Sequence, residues 1–297
     1  MTQTPPLVSA LIDTQALQVA PGDEVFWYTS GTVGPYYINT HYLYGGQQPA
    51  QELLEFIDET KDDPHKLPQA LYNRVTKMYD ADPSYRVVID ALAGQIAEQI
   101  DGGDGASAKF DWVSGGERRD WFFSVAVAAR LDRPHLCLFK DLRLALWDRA
   151  RSKEGAEPIE DLKGSSTLHV ADLVTEASSY SRMWVPALRQ RNGDMARALN
   201  VVDRAQGGIE VIEALGVSAS ALLRVDEGLF KILFDGGLID SEQHQRLVAY
   251  FRDPHGAMRQ FLIDHPEFVE GALRGSDPRA AERARLLVEG DLYDMGK

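Results

Sequence analysis

Residues 167–180 read Thr-Leu-His-Val-Ala-Asp-Leu-Val-Thr-Glu-Ala-Ser-Ser-Tyr. A short apolar run ends at Val170, an acid follows at Asp172, and a hydroxyl-rich turn leads into a predicted helix, Tyr180–Arg191. A strand, a tight turn and a helix N-terminus in this order favour an anion site. The first N–H groups of a helix lack partners, and the helix dipole adds roughly half a positive charge there. Hydroxyl donors for a phosphate group are offered by Thr175, Ser178 and Ser179.

Strands and helices alternate on either side of this stretch. Predicted strands are Phe110–Val113, His135–Phe139, Ala196–Val202 and Val217–Val225, and helices are predicted between them at Trp121–Leu131 and Ile209–Leu215. Such alternation predicts an α/β fold in which helices flank a parallel sheet. Ligands of open α/β sheets bind outside the carboxyl ends of the strands.

The first of these strands runs into the predicted loop Ser114-Gly-Gly-Glu-Arg-Arg-Asp120. Gly115 and Gly116 allow the backbone to approach a ligand closely, and Arg118 and Arg119 add fixed positive charge. We expect phosphate or pyrophosphate contact here. The alternative is an ordinary strand–helix turn with solvated arginines.

Composition limits the classes of function. The 297 residues carry a net charge of −14, which argues against broad nucleic-acid binding because that needs a basic footprint. No run of about 18 apolar residues occurs, so we expect no membrane span. The N-terminus lacks a basic start followed by an apolar core, and the one cysteine, Cys137, lies in an apolar run. We expect a cytoplasmic protein in which Cys137 is a buried structural thiol.

The flanking segments are predicted to be mainly helical. Residues 1–20 are predicted as a short amphipathic helix, and Val25–Asn39 as two strands joined by a glycine-rich turn. Further helices are predicted at Gln51–Thr60, Leu67–Tyr79, Tyr85–Gln99, from a cap at Asp226 through Phe234, and from a cap at Ser241 through Phe251. Two or three short helices are expected in residues 252–297.

Several of these segments together resemble type I phosphoribosyltransferases, and most of all the orotate phosphoribosyltransferases. The stretch 167–180 resembles their ribose-phosphate loop, and Asp203-Arg-Ala-Gln-Gly-Gly208 resembles the end of a later strand. Lys140-Asp141 resembles the opening of their mobile catalytic loop, which here continues as a charged segment to Lys163. The hood segment that covers the base in these enzymes is matched by Ser30, Gly31, Pro35, Tyr36, Tyr37 and Asn39.

The resemblance covers roughly residues 25–250 and implies a fold. This is a type I phosphoribosyltransferase-like parallel sheet flanked by helices, with an N-terminal hood and a helical C-terminal extension. We expect residues 1–105 to form the hood and a helical segment, 106–251 the phosphoribosyltransferase-like core, and 252–297 the extension.

The resemblance also implies an activity in pyrimidine nucleotide synthesis. Ribose 5-phosphate would be transferred from phosphoribosyl pyrophosphate to orotate or a related base, with Mg2+ accompanying the pyrophosphate, in a homodimer. Asp172 would bind the ribose hydroxyls, the loop hydroxyls the 5′-phosphate, and Tyr37 and Arg204 the base. The pyrophosphate would be held by Arg118, Arg119 and Lys140, with further candidate cations at Arg143, Arg149, Arg151 and Lys153.

Some positions depart from the family pattern and support a second hypothesis. Ala171 stands where the family has a first acid, Ala177 where it has a loop glycine, and Glu176 adds a negative charge near the phosphate position. The basic residues usual in the hood are replaced by Thr32 and Val33. On this second hypothesis, the chain is a catalytically degenerate relative that acts as a nucleotide-binding or protein-interaction module, since shared folds often carry altered sites. A third reading is a hydrolase or phosphorylase of ribosyl substrates.

Overall fold

A computed structural model describes residues 4–101, 109–152 and 155–296. The chain divides into two compact units. The larger, here called the sheet unit, consists of Pro5–Ala16 and Asn39–Val225, and the smaller, here called the helical unit, consists of Leu17–Ile38 and the chain from Asp226 onward. The predicted division at 105 and 251 stays a prediction, and its first boundary lies outside the described residues.

The helices of the described residues are short to medium in length. Their bounds are α1 Pro6–Asp13, α2 Gln47–Thr60, α3 Leu67–Ala81, α4 Pro83–Asp101, α5 Trp121–Arg130, α6 Val185–Arg189, α7 Gly208–Ala214, α8 Glu227–Asp235, α9 Ser241–Arg252, α10 Pro254–Asp264, α11 Glu267–Arg274 and α12 Pro278–Glu289. A 3-10 helix spans Thr40–Leu43, and one π-helical turn, Tyr180–Trp184, leads directly into α6.

The strands fall into two groups by length. Short strands are β1 Leu17–Val19, β2 Phe26–Trp27, β3 Val33–Gly34, β4 Tyr36–Ile38 and β8 Glu157–Pro158. Longer ones are β5 Trp112–Gly116, β6 His135–Leu138, β7 Leu144–Trp147, β9 Ser166–Val174, β10 Asp194–Asp203 and β11 Ser218–Arg224.

The sheet unit is built on a seven-stranded sheet with the order β11-β10-β9-β5-β6-β7-β8. The first five of these strands are parallel, while β7 and β8 add an antiparallel edge. Apolar side chains of β6, β9, β10 and α6 form one core, which includes Leu136, Val174, Leu188 and Met195. Helix α5 packs on β5 and buries Trp121, Phe122 and Phe123 completely. The predicted α/β fold with a helix-flanked parallel sheet is confirmed.

Two strands run further than predicted. The third core strand does not end at Val170 but continues as β9 to Val174, because β10 pairs with it along its whole length up to Asp203↔Val174. The first core strand continues as β5 through Gly116, which pairs with Leu138 of β6. The predicted loop 114–120 is therefore shortened to residues 117–120, and Asp172 lies inside a strand.

The charged segment after β6 is also more regular than predicted. β6 ends at Leu138, a tight turn follows, and β7 returns antiparallel with Leu138 paired to Leu144. The turn is closed by a hydrogen bond from Phe139 N to Arg143 O (3.0 Å). Ala145 and Leu144 are buried, so the apolar residues of this segment belong to the sheet.

The helical unit contains two antiparallel strand pairs, β1–β4 and β2–β3, and helices α8–α12. Its core includes Val33, Leu262 and Leu287, and the backbone N–H of Val33 donates to the Tyr293 hydroxyl (2.9 Å). Three helices occupy the residues after 252, as expected. None of the helices in the described ranges is long and apolar enough to cross a membrane.

Candidate functional site

A cavity of about 330 Å³ opens at the carboxyl ends of the central strands. Residues that follow β5 and β6, and the segment that includes the end of β9, form its walls. Its polar and charged lining residues are Glu117, Arg118, Arg119, Asp120, Lys140, Asp172, Thr175, Glu176, Ser178, Ser179 and Tyr180. The structure thus brings together seven of the residues predicted for a ligand site: Arg118, Arg119, Lys140, Asp172, Thr175, Ser178 and Ser179.

Asp172 forms the floor of the cavity. Its position in β9 leaves it only 9% exposed. Burial and, after it, the charge of the neighbouring Asp120 raise the pKa of Asp172 to about 8, while the charge of Arg119 opposes the rise. At neutral pH this carboxyl group is therefore mainly protonated.

Asp120 is a site residue that the sequence analysis missed. One of its oxygens, Oδ2, accepts a hydrogen bond from Gly116 N (3.0 Å), and the other, Oδ1, accepts one from Asp172 N (3.1 Å). The pairing of β5 with β9 stops at Ser114↔His169, so beyond that point the Asp120 carboxylate connects the two strand ends. An acid in the charged run Glu-Arg-Arg-Asp gives no sequence signal of such a role.

His169 lies directly behind this carboxylate. Its side chain is fully buried, its Nδ1 is 3.1 Å from Ser114 Oγ, and its Nε2 is 3.6 Å from Asp120 Oδ2. Its ring also packs edge-on against Tyr180, whose hydroxyl donates to Asn200 Oδ1 (2.8 Å). The available signal was a polar residue within the apolar run Leu168-His-Val170, since buried polar side chains in strands need partners.

The three predicted cations that line the cavity differ in their contacts and exposure. Arg118 forms an ion pair with Asp58 of α2, and the peptide bond before it is cis. Arg119 is exposed and acts electrostatically on both Asp172 and His41. The backbone N–H of Lys140 donates to Glu117 Oε2 (3.1 Å), which places Lys140 beside the loop 117–120.

The predicted turn 175–179 is shorter in the structure, because residues 175–177 form a turn and Ser178 and Ser179 already lie in the helix that leads into the π-helical turn. Thr175 is half-buried, Ser178 and Ser179 are exposed, and all three line the cavity. Glu176 is exposed and lines it too, so its charge lies beside these hydroxyls. Ala177 is buried with a φ of +54°, a left-handed conformation that glycine adopts without strain. The turn geometry is thus kept although the glycine is not.

Gly115 and Gly116 lie in β5 rather than in a loop. A Cβ atom at Gly115 would overlap the Ser124 side chain, and one at Gly116 would lie 2.5 Å from ring atoms of Trp184. Their small size is used for packing against α5 and the π-helical turn. Their predicted contact with a ligand stays a prediction.

The two residues predicted to bind the base are not among the residues that line this cavity. Tyr37 belongs to β4 of the helical unit, where its ring contacts Phe26 and Tyr28. Arg204 follows β10 in the sheet unit, and its N–H donates to Val174 O (3.0 Å). Asp203 accepts a hydrogen bond from Ala205 N (2.8 Å) and lies 3.8 Å from Arg224 Nε.

The remaining candidate cations of the segment after β6 pair with nearby acids. Arg143 contacts Asp141 (2.6 Å), and Arg149 contacts Asp132 (3.2 Å). Arg151 lies 3.6 Å from Asp148, and Lys153 lies outside the described residues. Cys137 is fully buried and burial raises its pKa, as expected for a structural thiol. Within the described ranges, no group of three or more His, Cys, Asp or Glu side chains is arranged to hold a metal ion.

Comparison with known proteins yields matches in structure alone. No family model matches the chain, and no curated protein sequence matches it. Among solved structures, UMP synthase from Leishmania donovani is similar with a TM-score of 0.53 and 17% sequence identity over 82% of this chain. The match covers 41% of that longer protein, so the chain corresponds to less than half of it.

A second similar structure is matched over nearly its full length. It is the orotate phosphoribosyltransferase from Francisella tularensis, with a TM-score of 0.52, 14% identity, and coverage of 83% of this chain and 97% of that one. Identities this low establish the fold alone. The order of strands and these similarities together show that the chain has the type I phosphoribosyltransferase fold.

Proposed function

We propose that the protein is a phosphoribosyltransferase, which transfers ribose 5-phosphate from phosphoribosyl pyrophosphate to a nitrogenous base, orotate or a related one. The observation that supports this most is the cavity itself. It combines a buried carboxyl group, a hydroxyl-rich turn and exposed cations at the carboxyl edge of a parallel sheet. Each of these groups suits one part of a phosphorylated ribose carrying a diphosphate.

The proposed roles follow from position and chemistry. Asp172 accepts hydrogen bonds from the ribose hydroxyls, and the turn 175–179 binds the 5′-phosphate through its hydroxyl and backbone donors. Arg119 and Lys140 hold the pyrophosphate. Arg118 contributes less than Arg119, because its guanidinium is already paired with Asp58. Tyr37 and Arg204 are the proposed contacts of the base, and a homodimer is the proposed assembly.

The reaction proposed for this site passes through a ribose cation with the pyrophosphate departing. Protein groups then act mainly by holding the reactants in line and by neutralising charge that develops on the leaving group. Mg2+ accompanying the pyrophosphate would supply further neutralisation, since this ion commonly binds through substrate phosphates with one or two carboxylates. Arg119 and Lys140 stabilise the same charge from the protein side.

Calorimetric titration with phosphoribosyl pyrophosphate and Mg2+ tests the binding step. Micromolar affinity, about 8 kcal/mol, is expected for the wild-type protein. Asp172→Ala is expected to weaken it about tenfold or more, because the ribose hydroxyls lose a buried acceptor. Asp194→Ala is the matched control, since it removes an exposed acid from the start of β10.

A measurement of pyrophosphate formation distinguishes a phosphoribosyltransferase from a hydrolase. Pyrophosphate formed only when both phosphoribosyl pyrophosphate and a base are present supports transfer, and a screen of bases then identifies the acceptor. Pyrophosphate formed without a base indicates a hydrolase.

The second candidate is a catalytically degenerate relative that binds a nucleotide or a protein. Two observations favour it: Glu176 brings a carboxylate to the phosphate side of the cavity, and Asp58 already occupies Arg118. Two unit charges about 4 Å apart repel by about 1 kcal/mol in water and by several times that at lower dielectric. Absence of binding at millimolar phosphoribosyl pyrophosphate would favour this candidate and exclude the transferase.

A further inference from the structure

Another cavity lies within the helical unit, between α10, α11, α12 and the residues that follow α12. Its volume is about 240 Å³. Sites for small molecules in proteins are typically concave and mainly apolar, with a few polar groups. This cavity has that character, because six of its lining residues are apolar: Leu262, Pro266, Val269, Leu287, Val288 and Met295.

The cavity has a buried floor and an exposed apolar mouth. Leu262 and Leu287 are buried and belong to the core of the helical unit, so they form the floor. Val288 and Met295 are 45% and 40% exposed and form the mouth. Apolar side chains that are exposed together around a concave surface are a feature of binding sites. An apolar group that enters the cavity would remove both surfaces from water, which favours binding.

The volume limits the size of the ligand. An apolar cavity of roughly 150 Å³ accepts a benzene molecule. A cavity of about 240 Å³ therefore has room for one ring and a few more carbon atoms. An amphipathic helix, in contrast, places several anchoring side chains along an extended groove. The cavity is consequently suited to one small molecule.

The segments that form the cavity contain acids but no Lys or Arg. The lining residues fall within 262–269 and 287–296, and the acids of these two ranges are Asp264, Glu267, Glu289, Asp291 and Asp294. In the described part of the chain, these acids form ion pairs only with histidines, Glu267 with His265 (3.6 Å) and Asp294 with His255 (3.5 Å). Such an excess of acids makes the local potential negative, which attracts a cation and repels an anion.

Asp291 is the acid that itself lines the cavity, and it is half-buried. Its Oδ1 accepts a hydrogen bond from Met295 N (2.8 Å), which holds the carboxylate in place. Its Oδ2 forms no hydrogen bond or ion pair with any residue that the structure describes. This oxygen can therefore accept a charged hydrogen bond from an ammonium group, and such bonds are stronger than neutral ones.

We propose that this cavity binds a small organic cation, a primary amine whose aromatic or branched alkyl body fills the apolar space and whose ammonium group contacts Asp291. The site is independent of the proposed transferase. All of its residues belong to the helical unit, and its ligand has the opposite charge to a phosphorylated ribose.

Three probes that share one phenylbutyl body test the preference for a cation in the whole chain. 4-Phenylbutylamine is expected to bind about tenfold more tightly than 4-phenylbutyrate, with 4-phenylbutanol between them, because the acids attract only the ammonium group. Calorimetry near neutral pH and at low salt measures the three affinities. Equal affinities, or the tightest binding for the butyrate, would overturn the proposal. Absence of amine binding at millimolar concentration would also overturn it.

Asp291→Asn tests the contact with the ammonium group. The amide keeps an oxygen that can accept from Met295 N but removes the charge. Amine affinity is expected to fall about threefold or more, while phenylbutanol affinity stays within about twofold. Asp277→Asn is the matched control, because Asp277 also accepts from a backbone N–H, that of Arg279 (2.9 Å), but does not line the cavity. Equal losses of amine affinity in both variants would attribute the preference to net charge and overturn the role of Asp291.

Val288→Trp tests the location of the site. The larger side chain at the mouth is expected to abolish binding of all three probes. Leu273→Trp is the matched control, since Leu273 is another exposed apolar residue that does not line the cavity, and it is expected to bind the amine like the wild-type protein. Circular dichroism checks that both variants fold. Amine binding retained in Val288→Trp would overturn the assignment of the site to this cavity. Dimerisation of the wild-type chain that Val288→Trp abolishes would identify the cavity as an interface between two copies and would overturn the proposal.

Discussion

Arg118 and Arg119 are adjacent in the sequence, yet their side chains have different surroundings. Arg118 is paired with Asp58, whereas Arg119 is exposed at the cavity and acts on Asp172. A guanidinium without an ion pair can reorient toward a phosphate at lower cost than one that must first leave a carboxylate. The two arginines are therefore expected to contribute unequally to ligand binding.

Arg119→Gln is expected to weaken phosphoribosyl pyrophosphate binding about tenfold or more, the effect of losing a charged hydrogen bond. Arg118→Gln is the matched control, because it removes the same charge one residue away, and its effect is expected to stay below about threefold. Calorimetry under one salt concentration measures both. Equal losses would contradict the unequal roles, and a larger loss for Arg118→Gln would reverse them.

Glu176 is expected to weaken the binding of a phosphorylated ribose, whereas Arg119 is expected to strengthen it. Its carboxylate is exposed beside the hydroxyls of the turn 175–179, so Glu176→Gln is expected to tighten ribose 5-phosphate binding about threefold at low salt. The gain is expected to shrink as salt rises, because exposed charges are screened. Glu213→Gln, an exposed acid of α7, supplies the same charge change without lining the cavity. An equal gain in that variant would attribute the effect to net charge alone.

The sequence predicted some residues of the candidate site and missed others. Asp172 and the hydroxyl turn were identified because a strand, an acid and a turn occur in order. Asp120 and His169 were missed because a partner of each, Asp172 and Ser114 respectively, lies on a strand that is distant in sequence, and such contacts are set by the register of β5 and β9. Composition of the local sequence carries no information about that register.

At the level of elements, apolar periodicity located the core strands but not their ends. β9 includes Asp172 because its pairing with β10 continues to Val174, although a buried acid is an unfavourable strand residue by local propensity. β7 was overlooked because Leu144–Trp147 is short and lies among charged residues. Its pairing with β6 supplies the stability that the local sequence does not indicate.

Helix α9 gives a test at this scale, because its start differs from the predicted one. Ser241 was predicted as the cap, but Asp240 occupies that position and accepts from Gln243 N (2.8 Å), while Gln243 Oε1 accepts from Asp240 N (3.0 Å). Asp240→Ala is expected to lower the free energy of unfolding by about 1 kcal/mol, the usual loss for a helix cap.

Ser241→Ala is the natural comparison, since it changes the adjacent residue without removing a capping bond. Its effect on the free energy of unfolding is expected to lie within about 0.5 kcal/mol, as for ordinary surface substitutions. Urea denaturation of both variants measures the difference. A loss in Ser241→Ala that equals or exceeds the loss in Asp240→Ala would place the cap at Ser241 after all.

For the whole molecule, the fold was the most predictable feature. The alternation of strands and helices predicted a parallel sheet flanked by helices, and five neighbouring strands of the sheet are parallel. The assignment of Leu17–Ile38 and the chain from Asp226 onward to one compact unit was not predicted. Contacts between segments so far apart in sequence depend on tertiary packing, for example Val33 with Tyr293, and leave no local pattern.

Buried ionisable groups give the molecule a characteristic dependence of stability on pH. Burial lowers the pKa of His41 and His135 to about 3, helped by Arg119 and Arg118 at His41 and by His169 at His135. Between pH 3 and 6.5, the ordinary pKa of histidine, the two histidines bind protons in the unfolded state but not in the folded state. The unfolded state then binds more protons, so the contribution of these histidines to the free energy of unfolding rises with pH across this window and is constant above 6.5.

Asp172 makes the free energy of unfolding fall as pH rises, which is opposite to the effect of the two histidines. Its pKa is raised to about 8 in the folded protein, so from about pH 4 to 8 the folded state binds a proton that the unfolded state has lost. Below pH 6.5 the two histidines outweigh this single group. Above 6.5 Asp172 acts without them, and the free energy of unfolding is expected to fall by at most about 2 kcal/mol up to pH 8.

Asp172→Asn is expected to abolish this fall, because the amide carries no charge that burial would penalise. Urea denaturation of the whole chain at pH 6.5, 7.2 and 8.0 measures it, and Asp194→Asn, an exposed acid of the same sheet, is expected to retain the wild-type fall. If Asp172→Asn loses stability as steeply as the wild-type protein, another group causes the decline. If the fall disappears, the stability lost at neutral pH is the cost of keeping a carboxyl group at the floor of the cavity, where a ligand can use it.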